Sequence, residues 1–484
     1  MSFKEADDLW DDIDGDQDSV FLQAPLAFKL AKIYYHTRDF DRSEKMLKAV
    51  STRFAGTPYG EQARDLLRRL IEINTVEPNK IGVVLPLSGR YQQYGARALD
   101  ALKLAFAGDS NLQLVVKDSA GDPPAASRAV EELVLFDHVI VVIGPLFSTE
   151  AWAAALKAEE LSVPLVSLSH REGLPELGPW VFRSALTVKA QALALAAIAF
   201  EEMGMRRFAL LYPRSQYGRE FAEVFWDEVE RRKGEIRGVE SYDHDQTTFQ
   251  EPVRKLVGRY YWMAREDYRE AVRLLRTQKL PPHRFQMALE KIEKSLAPII
   301  DFDAVVIPDS GRNLGLIAPA LAVEDVVLTR DAKEIDKIKK ATGRKEVHPV
   351  TLLGGSTWNT MQTVESCERY CENAVFVDGY YADSPDTRVR DFVTGFRDKT
   401  GAEPNLSEAQ AFDAGGLVRR VLTQSRATDR KAFREALAAL KGYEGVTGWI
   451  RFDTLGDTLK KLLVLTIQEG VIRLWQPDAV PARG

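Results

Sequence analysis

The chain carries only two cysteines in 484 residues, Cys367 and Cys371. Two are too few for a disulfide scaffold, and no further cysteine or neighbouring histidine completes a zinc site. Spaced four apart, they fall on adjacent turns of one helix, an awkward geometry for a disulfide, so two plain thiols are expected. No apolar run approaches the roughly 20 residues of a membrane-spanning helix. A basic surplus is absent too: the net charge of -6 argues against a nucleic-acid partner, which would favour a basic face. Enzyme motifs are missing, with no G-x-S-x-G elbow, P-loop, G-x-G-x-x-G or H-E-x-x-H. The histidines His36, His138, His170, His244, His283 and His348 are scattered. His244 between Asp243 and Asp245 reads as an exposed turn rather than a metal site. No catalysis, cofactor or metal is implied.

What is present is an ordinary globular composition, 45% hydrophobic and 28% charged. The length exceeds the usual prior of about 100–200 residues per domain. The opening MSFKEADDLW is charged and unlike a signal peptide. Two readings follow, a cytoplasmic protein or one whose leader has been removed. Residues 1–20 are rich in aspartate. Asp12-x-Asp14-x-Asp16 has a calcium-loop alternation, but Gln17 replaces the turn glycine and Gln23 the bidentate glutamate. An acidic, solvated and partly disordered leader is expected there.

Residues 21–78 become helical. Ala31 and Tyr34 share one face of a first amphipathic helix, Leu47 and Val50 one face of a second, and Thr57-Pro58 opens a third. The spacing resembles one and a half tetratricopeptide repeats. Such repeats normally need about three copies for stability, so these must pack on the following domain or on a partner.

From Lys80 strand and helix patterns alternate. IGVVL (81–85) is an apolar run of the kind buried on both sheet faces. The helix after it places Tyr94, Ala98, Ala101, Leu102 and Ala105 near one face. Strands over 112–118, 138–144, 163–169, 207–213 and 236–242, with helices between them, predict parallel sheets covered on both sides. The rhythm breaks over about 258–298, a charged stretch with Pro281-Pro282 that reads as an inserted helical hairpin with a solvated face. Strands resume at 301–311, 351–358 and 373–381, and GVTGWIRFD and LVLTIQEGVIRLW close the chain as antiparallel strands.

Across Lys80 to Trp475, IGVVLPLSGRYQQYGARALDALKLA, VVKDSAGDPPAASRAVEELV, IGPLFSTEAWAAALKAEELSVPLVSLS and GVTGWIRFDTLGD stand in an order that resembles type I periplasmic binding proteins of the branched-chain amino-acid receptor branch. The resemblance implies an α/β fold of two doubly wound lobes, here preceded by the small all-α module. Lobe one would hold 80–185 and 382–442, and lobe two 186–381 and 443–484. It further implies capture of a small polar, amino-acid-like ligand by hinge closure, without chemistry.

A ligand carboxylate needs N–H donors and hydroxyls, which a helix N-terminus supplies. Ser148 and Thr149 in GPLFST stand at such a terminus, and Ser148 matches the family's hydroxyl position. Ser169 and Arg171 match the second carboxylate loop, Tyr94 an aromatic of the wall, and Tyr217 the aromatic covering the ligand. Ser148 capping its helix and tyrosines in ordinary half-buried core are the plain alternatives. The loop where the family places an acid for the ligand ammonium reads GGSTWN, with Ser356, Thr357 and Trp358. Asp309 is the candidate substitute. Arg171 adds a positive charge, which points to an acidic or non-amino-acid ligand, since an unpaired charge in a closed cleft is costly.

Helical repeats ahead of such a domain also resemble penicillin-binding-protein activator lipoproteins, scaffolds for cell-wall synthases. The expected partners are therefore a small ligand with a membrane permease, or a cell-wall synthase. The expected place is the periplasm, with an outer-membrane lipid anchor in the activator case.

Overall fold

The computed structural model describes residues 3–16, 19–342 and 346–477. Gln17 and Asp18 of the expected leader, and the end of the expected second lobe at 478–484, lie outside the described residues.

Neighbouring parallel strands cannot be joined by a tight turn, so each leads into a crossover segment, usually a helix. β1 (Glu77–Leu85), β2 (Gln113–Asp118), β3 (Val139–Ile143), β4 (Leu165–Ser167) and β5 (Val181–Arg183) form a parallel sheet in the order β2-β1-β3-β4-β5. In its register Ile81 lies opposite Leu114 on one side and Val141 on the other. Every residue of β3 is buried, as a strand covered on both faces requires.

The second sheet begins with β6 (Arg207–Pro213), β7 (Glu235–Tyr242), β8 (Ala304–Val306), β9 (Thr351–Gly354) and β10 (Val375–Asp378). A small three-stranded sheet follows in the chain, β11 (Tyr443–Gly445), β12 (Gly448–Phe452) and β13 (Thr458–Lys460). β14 (Leu463–Gln468) and β15 (Val471–Leu474) then return to the second sheet, whose order is β15-β14-β10-β9-β8-β6-β7. β14 pairs antiparallel with both β10 and β15, as the closing sequence predicts.

The chain divides into two compact units. One comprises Met1–Ala185, Thr394–Gly445 and Ile450–Leu459, the other Leu186–Val393, Val446–Trp449 and Lys460–Gly484. One passage between them falls within the helix Thr387–Thr400, about a dozen residues beyond the expected 381/382.

In the first unit, four helices precede β1: α1 (Phe3–Ile13), α2 (Val20–His36), α3 (Phe40–Arg53) and α4 (Pro58–Asn74). α1 corrects the expectation of a partly disordered leader. Ala6 and Ile13 are buried with Leu26, Leu30 and Tyr34, and Trp10 packs on this cluster. Ala6, Trp10 and Ile13 recur at helical spacing between the aspartates, and that stripe is what the acidic composition obscures. Tyr34 donates to Asp7 at 3.1 Å, and Arg53 pairs with Asp14 at 2.6 Å. Asp39 caps α3 and Thr57 caps α4, accepting from the N–H groups of Arg42 and Gly60. Ala27, Ala31, Leu47, Val50, Ala63 and Leu70 form the core of α2–α4. α4 packs on the helix Pro123–Leu135, where Arg69 pairs with Glu131 at 2.8 Å.

The cysteine expectation is also corrected. Cys367 and Cys371 are joined in a disulfide with Cα atoms 5.6 Å apart. They are not on successive turns of one helix, because the α-helix Met361–Cys367 ends there. Glu368 takes a left-handed φ of 47°, and a short 3-10 turn carries Cys371.

Arg430 locks the helical module's exit to the sheet. Its buried guanidinium donates to Val139 O at 2.9 Å and to the carbonyls of Ile73, Thr75 and Val134. Burial pushes its pKa down to about 10. Replacing it leaves several buried carbonyls without donors. Arg430→Ala is expected to lower the unfolding free energy by about 2–4 kcal/mol, read by urea denaturation.

Candidate functional site

In open α/β sheets ligand-binding residues gather outside the carboxyl ends of the strands. Each unit presents such an edge. The edges share one device: a strand ends at a proline, and a Tyr-Gly pair opens the next helix. In the first unit β1 runs into Pro86, and the helix Gln92–Ala105 carries Tyr94-Gly95. In the second β6 ends at Pro213, and the helix Gln216–Arg231 carries Tyr217-Gly218. A Cβ on Gly95 would collide with the Pro86 carbonyl, and one on Gly218 with that of Pro213. Only glycine lets each helix lie so close to its strand end, and that contact sets the preceding tyrosine at the edge.

On the first edge, β3 leads through Phe147 into the helix Ser148–Leu161. The capping task belongs to neither Ser148 nor Thr149. The buried carboxylate of Glu150 accepts from Phe147 N–H at 3.1 Å and from Ser119 Oγ at 2.5 Å. Burial raises its pKa. Ser148 is thus the first helical residue, half-buried, with Thr149 exposed beside it. Tyr94, 58% exposed, meets Phe147 edge-on at 6.0 Å. Tyr91, a residue the sequence did not mark, stacks on Phe147 at 4.2 Å.

Arg171 joins the two loops. It donates to Ser148 O at 3.0 Å, and its guanidinium lies 4.4 Å from the Trp152 ring centre. The hydroxyl of buried Ser169 accepts from Arg171 N–H at 3.2 Å, so Ser169 shapes this loop. Behind them lies Arg183, another residue the sequence did not mark. It is 1% exposed and binds Asp457, Glu172 at 3.1 Å and the carbonyl of Arg171. Ser148, Ser169, Arg171 and Tyr94 are therefore linked through one set of contacts, with the first turn of a helix at its centre. A guanidinium has five N–H donors. With a hydroxyl and a helix N-terminus beside it, this arrangement suits a carboxylate.

On the second edge, the Tyr217 hydroxyl lies 3.4 Å from Gln191 Oε1, which also accepts from Ser356 N–H at 2.9 Å. Burial, with Asp378 and Asp309 nearby, keeps the Tyr217 proton bound well above the usual tyrosine range. Trp358 corrects the expectation of a ligand contact. It is 0% exposed, its ring centre is 6.0 Å from that of Phe376, and its indole N–H donates to Asp309 O at 3.0 Å. Asp309 is engaged as well: its carboxylate accepts from Tyr242 at 2.6 Å, Asn313 at 2.8 Å and Ser310 N–H at 2.6 Å. A cavity of about 450 Å³ in the first unit, lined by Arg38, Trp180 and Arg430 among others, lies toward the amino ends of the strands. Among the described residues, no group of three or more His, Cys, Asp or Glu side chains could hold a metal ion.

Asp378, at the carboxyl end of β10, is an acid the sequence left unmarked. The signal was available, an aspartate closing the apolar run VFVD. It is 1% exposed and accepts from Asn359 Nδ2 at 2.7 Å and Gly379 N–H at 2.6 Å. Burial pushes its carboxyl up to about 7, against the pull of these donors and of Lys460. An unfolded aspartate titrates near about 3.9. Between these values the folded state binds more protons than the unfolded, so stability falls as pH rises from about 4 to about 7 and is level above. Asp378→Asn is expected to remove that component, about 2–4 kcal/mol, from the difference between wild-type and variant urea-denaturation curves across this range.

The model of the family described as "Periplasmic binding protein" matches residues 78–258 and 331–470. Among curated proteins, glutamate receptors 2.9 and 2.8 of Arabidopsis thaliana are each 27% identical, over 198 and 164 residues. These segments are 38% and 32% of this chain but only 20% and 17% of the receptors' length. Among solved structures, a putative branched-chain amino-acid ABC transporter protein of Rhodospirillum rubrum is 21% identical, covering 83% of this chain and 100% of its own, with a TM-score of 0.63. The branched-chain amino-acid transporter substrate-binding protein of Streptococcus pneumoniae, in complex with isoleucine, is 22% identical, covering 82% and 97%, with a TM-score of 0.54. A solute-binding protein of an ABC transporter from Rhodopseudomonas palustris, in complex with 3,4-dihydroxybenzoic acid, is 18% identical, covering 82% and 95%, with a TM-score of 0.56. The family match spans well over half of the chain, and the chain belongs to the periplasmic binding protein family, with the type I fold of its branched-chain amino-acid binding members.

Proposed function

We propose that the protein is a solute-binding protein that captures a small carboxylate-bearing solute, without chemistry, for an ABC-type permease. The carrying observation is the grouping of Ser148, the first turn of its helix and the Arg171 guanidinium on one strand edge. Isoleucine and 3,4-dihydroxybenzoic acid, bound by two structural neighbours, have a carboxyl group in common. Since those two ligands are an amino acid and an aromatic acid, aromatic and aliphatic acids are candidates beside amino acids. The proposed compartment is the periplasm, where the Cys367–Cys371 disulfide would persist.

A second reading is a protein-interaction scaffold of the cell-wall-synthase activator type, lipid-anchored in the outer membrane. It draws on the module α1–α4, where Val20, Phe21 and Leu22 are 50%, 77% and 43% exposed.

A thermal-shift screen of amino acids, aliphatic acids and benzoates separates the two readings. At a concentration about 100 times its dissociation constant, a one-site ligand adds about 2.7 kcal/mol. The shift is expected to shrink in Arg171→Met. A flat response to all three classes overturns the solute reading and favours the scaffold.

A further inference from the structure

The inserted hairpin of the second unit is built unlike the rest of its surface. Its helices, Glu266–Thr277 and Pro282–Ser295, pack on one another, and the second has no buried residue. The base is anchored: Arg265 pairs with Asp267 and donates to the carbonyls of Gly258 and Ala297, and Arg259 pairs with Glu324 and Asp325. Leu275, Leu289 and Ile292 lie at helical spacing on the buried or half-buried faces.

Charge is segregated along the hairpin. Glu266, Asp267, Glu270, Glu290 and Glu293 all lie toward the base, where Arg265, Arg269, Lys291 and Lys294 balance them, and from Ala271 to Leu289 there is no acidic residue. That tip carries Arg273, Arg276, Lys279 and Arg284, all exposed and none in an ion pair among the described residues. Among these cations stand two exposed apolar side chains, Leu274 at 60% and Met287 at 59%. In a chain whose net charge is -6, this is a cationic tip with apolar prongs. The family match omits 259–330, a span that holds the hairpin together with β8 and the helix Gly311–Val323.

We propose that the hairpin tip is a docking surface for an anionic phospholipid bilayer, with Arg273, Arg276, Lys279 and Arg284 on the headgroups and Leu274 and Met287 entering the interface. Free cations beside apolar prongs suit that surface, because headgroup charge and acyl boundary lie within a few ångströms of each other.

The test is co-sedimentation of the full chain with vesicles of phosphatidylglycerol and phosphatidylcholine, compared with phosphatidylcholine alone. Binding is expected on the anionic vesicles only and is expected to fade in roughly 0.5 M salt, where screening is short-ranged. Reversing the four tip cations to glutamate should weaken it at least about tenfold. L274S/M287S should weaken it with the charges intact. Melting temperatures should stay near wild type, since every altered side chain is exposed. Equal binding to neutral vesicles, full binding by the charge-reversed variant, or no binding to anionic vesicles overturns the proposal. If vesicles are ignored while the chain self-associates at low salt through the same cations, the occupant is the acidic α1 of a second copy and the lipid proposal fails.

Discussion

Parallel pairing is the constraint from which the remaining structure follows. A parallel strand must send its chain across a helix before the next strand can be laid beside it, so the carboxyl ends of the strands collect on one edge of each sheet. Polar residues that are costly to bury within a strand can stand there. Ser148, Ser169 and Arg171 in one unit, and Tyr217, Ser356 and Asp378 in the other, all follow directly from strand ends. The repeated proline and Tyr-Gly device shows the same solution twice, with a glycine admitting the helix to the strand end and a tyrosine displayed beside it.

Buried charge is used to hold loops rather than to react. Glu150 caps the helix that begins at Ser148, leaving the serine hydroxyl clear of that task. Arg183 ties the Arg171 loop to Asp457 across 274 residues of sequence. Arg430 closes a ring of carbonyls contributed by the exit of the helical module and by the first sheet. Each of these groups is costly to bury unless fully partnered, and each is partnered by backbone or by an opposite charge. Pre-positioned loops of this kind reduce the ordering cost of binding.

The helical module and the inserted hairpin differ in how they bury their apolar faces. The module α1–α4 hides its stripes in two small cores and against the sheet's own helix. The inserted hairpin does so between its own two helices and against Trp262, whose ring meets Tyr268, and its tip keeps Leu274 and Met287 in the open. A helix pair of similar charge density can therefore be a packed extension or a presented surface. Which one it becomes depends on neighbours that lie far away in sequence.

Periodicity was enough to read the two doubly wound sheets. Runs such as VIVVI and LLYP are too short for helices and are bounded by glycine or proline, so they read as buried strands, and the helices between them follow from chain connectivity. That Ser148, Ser169 and Arg171 meet on the first edge was also legible, because they lie in the loops that follow strands. α1 was misjudged because seven aspartates in residues 1–20 mask an apolar stripe that is stable only once Leu26, Leu30 and Tyr34 cover it. The disulfide depended on a left-handed residue at Glu368 that ends the helix early. Trp358, Asp309 and Asp378 share one sheet edge, yet one became core, one a hydrogen-bond hub and one a buried acid. Local pattern specifies which backbone a segment adopts. Burial and partnership depend on what packs against it, and residues such as Arg183 and Asp457 meet only after the whole chain between them has folded.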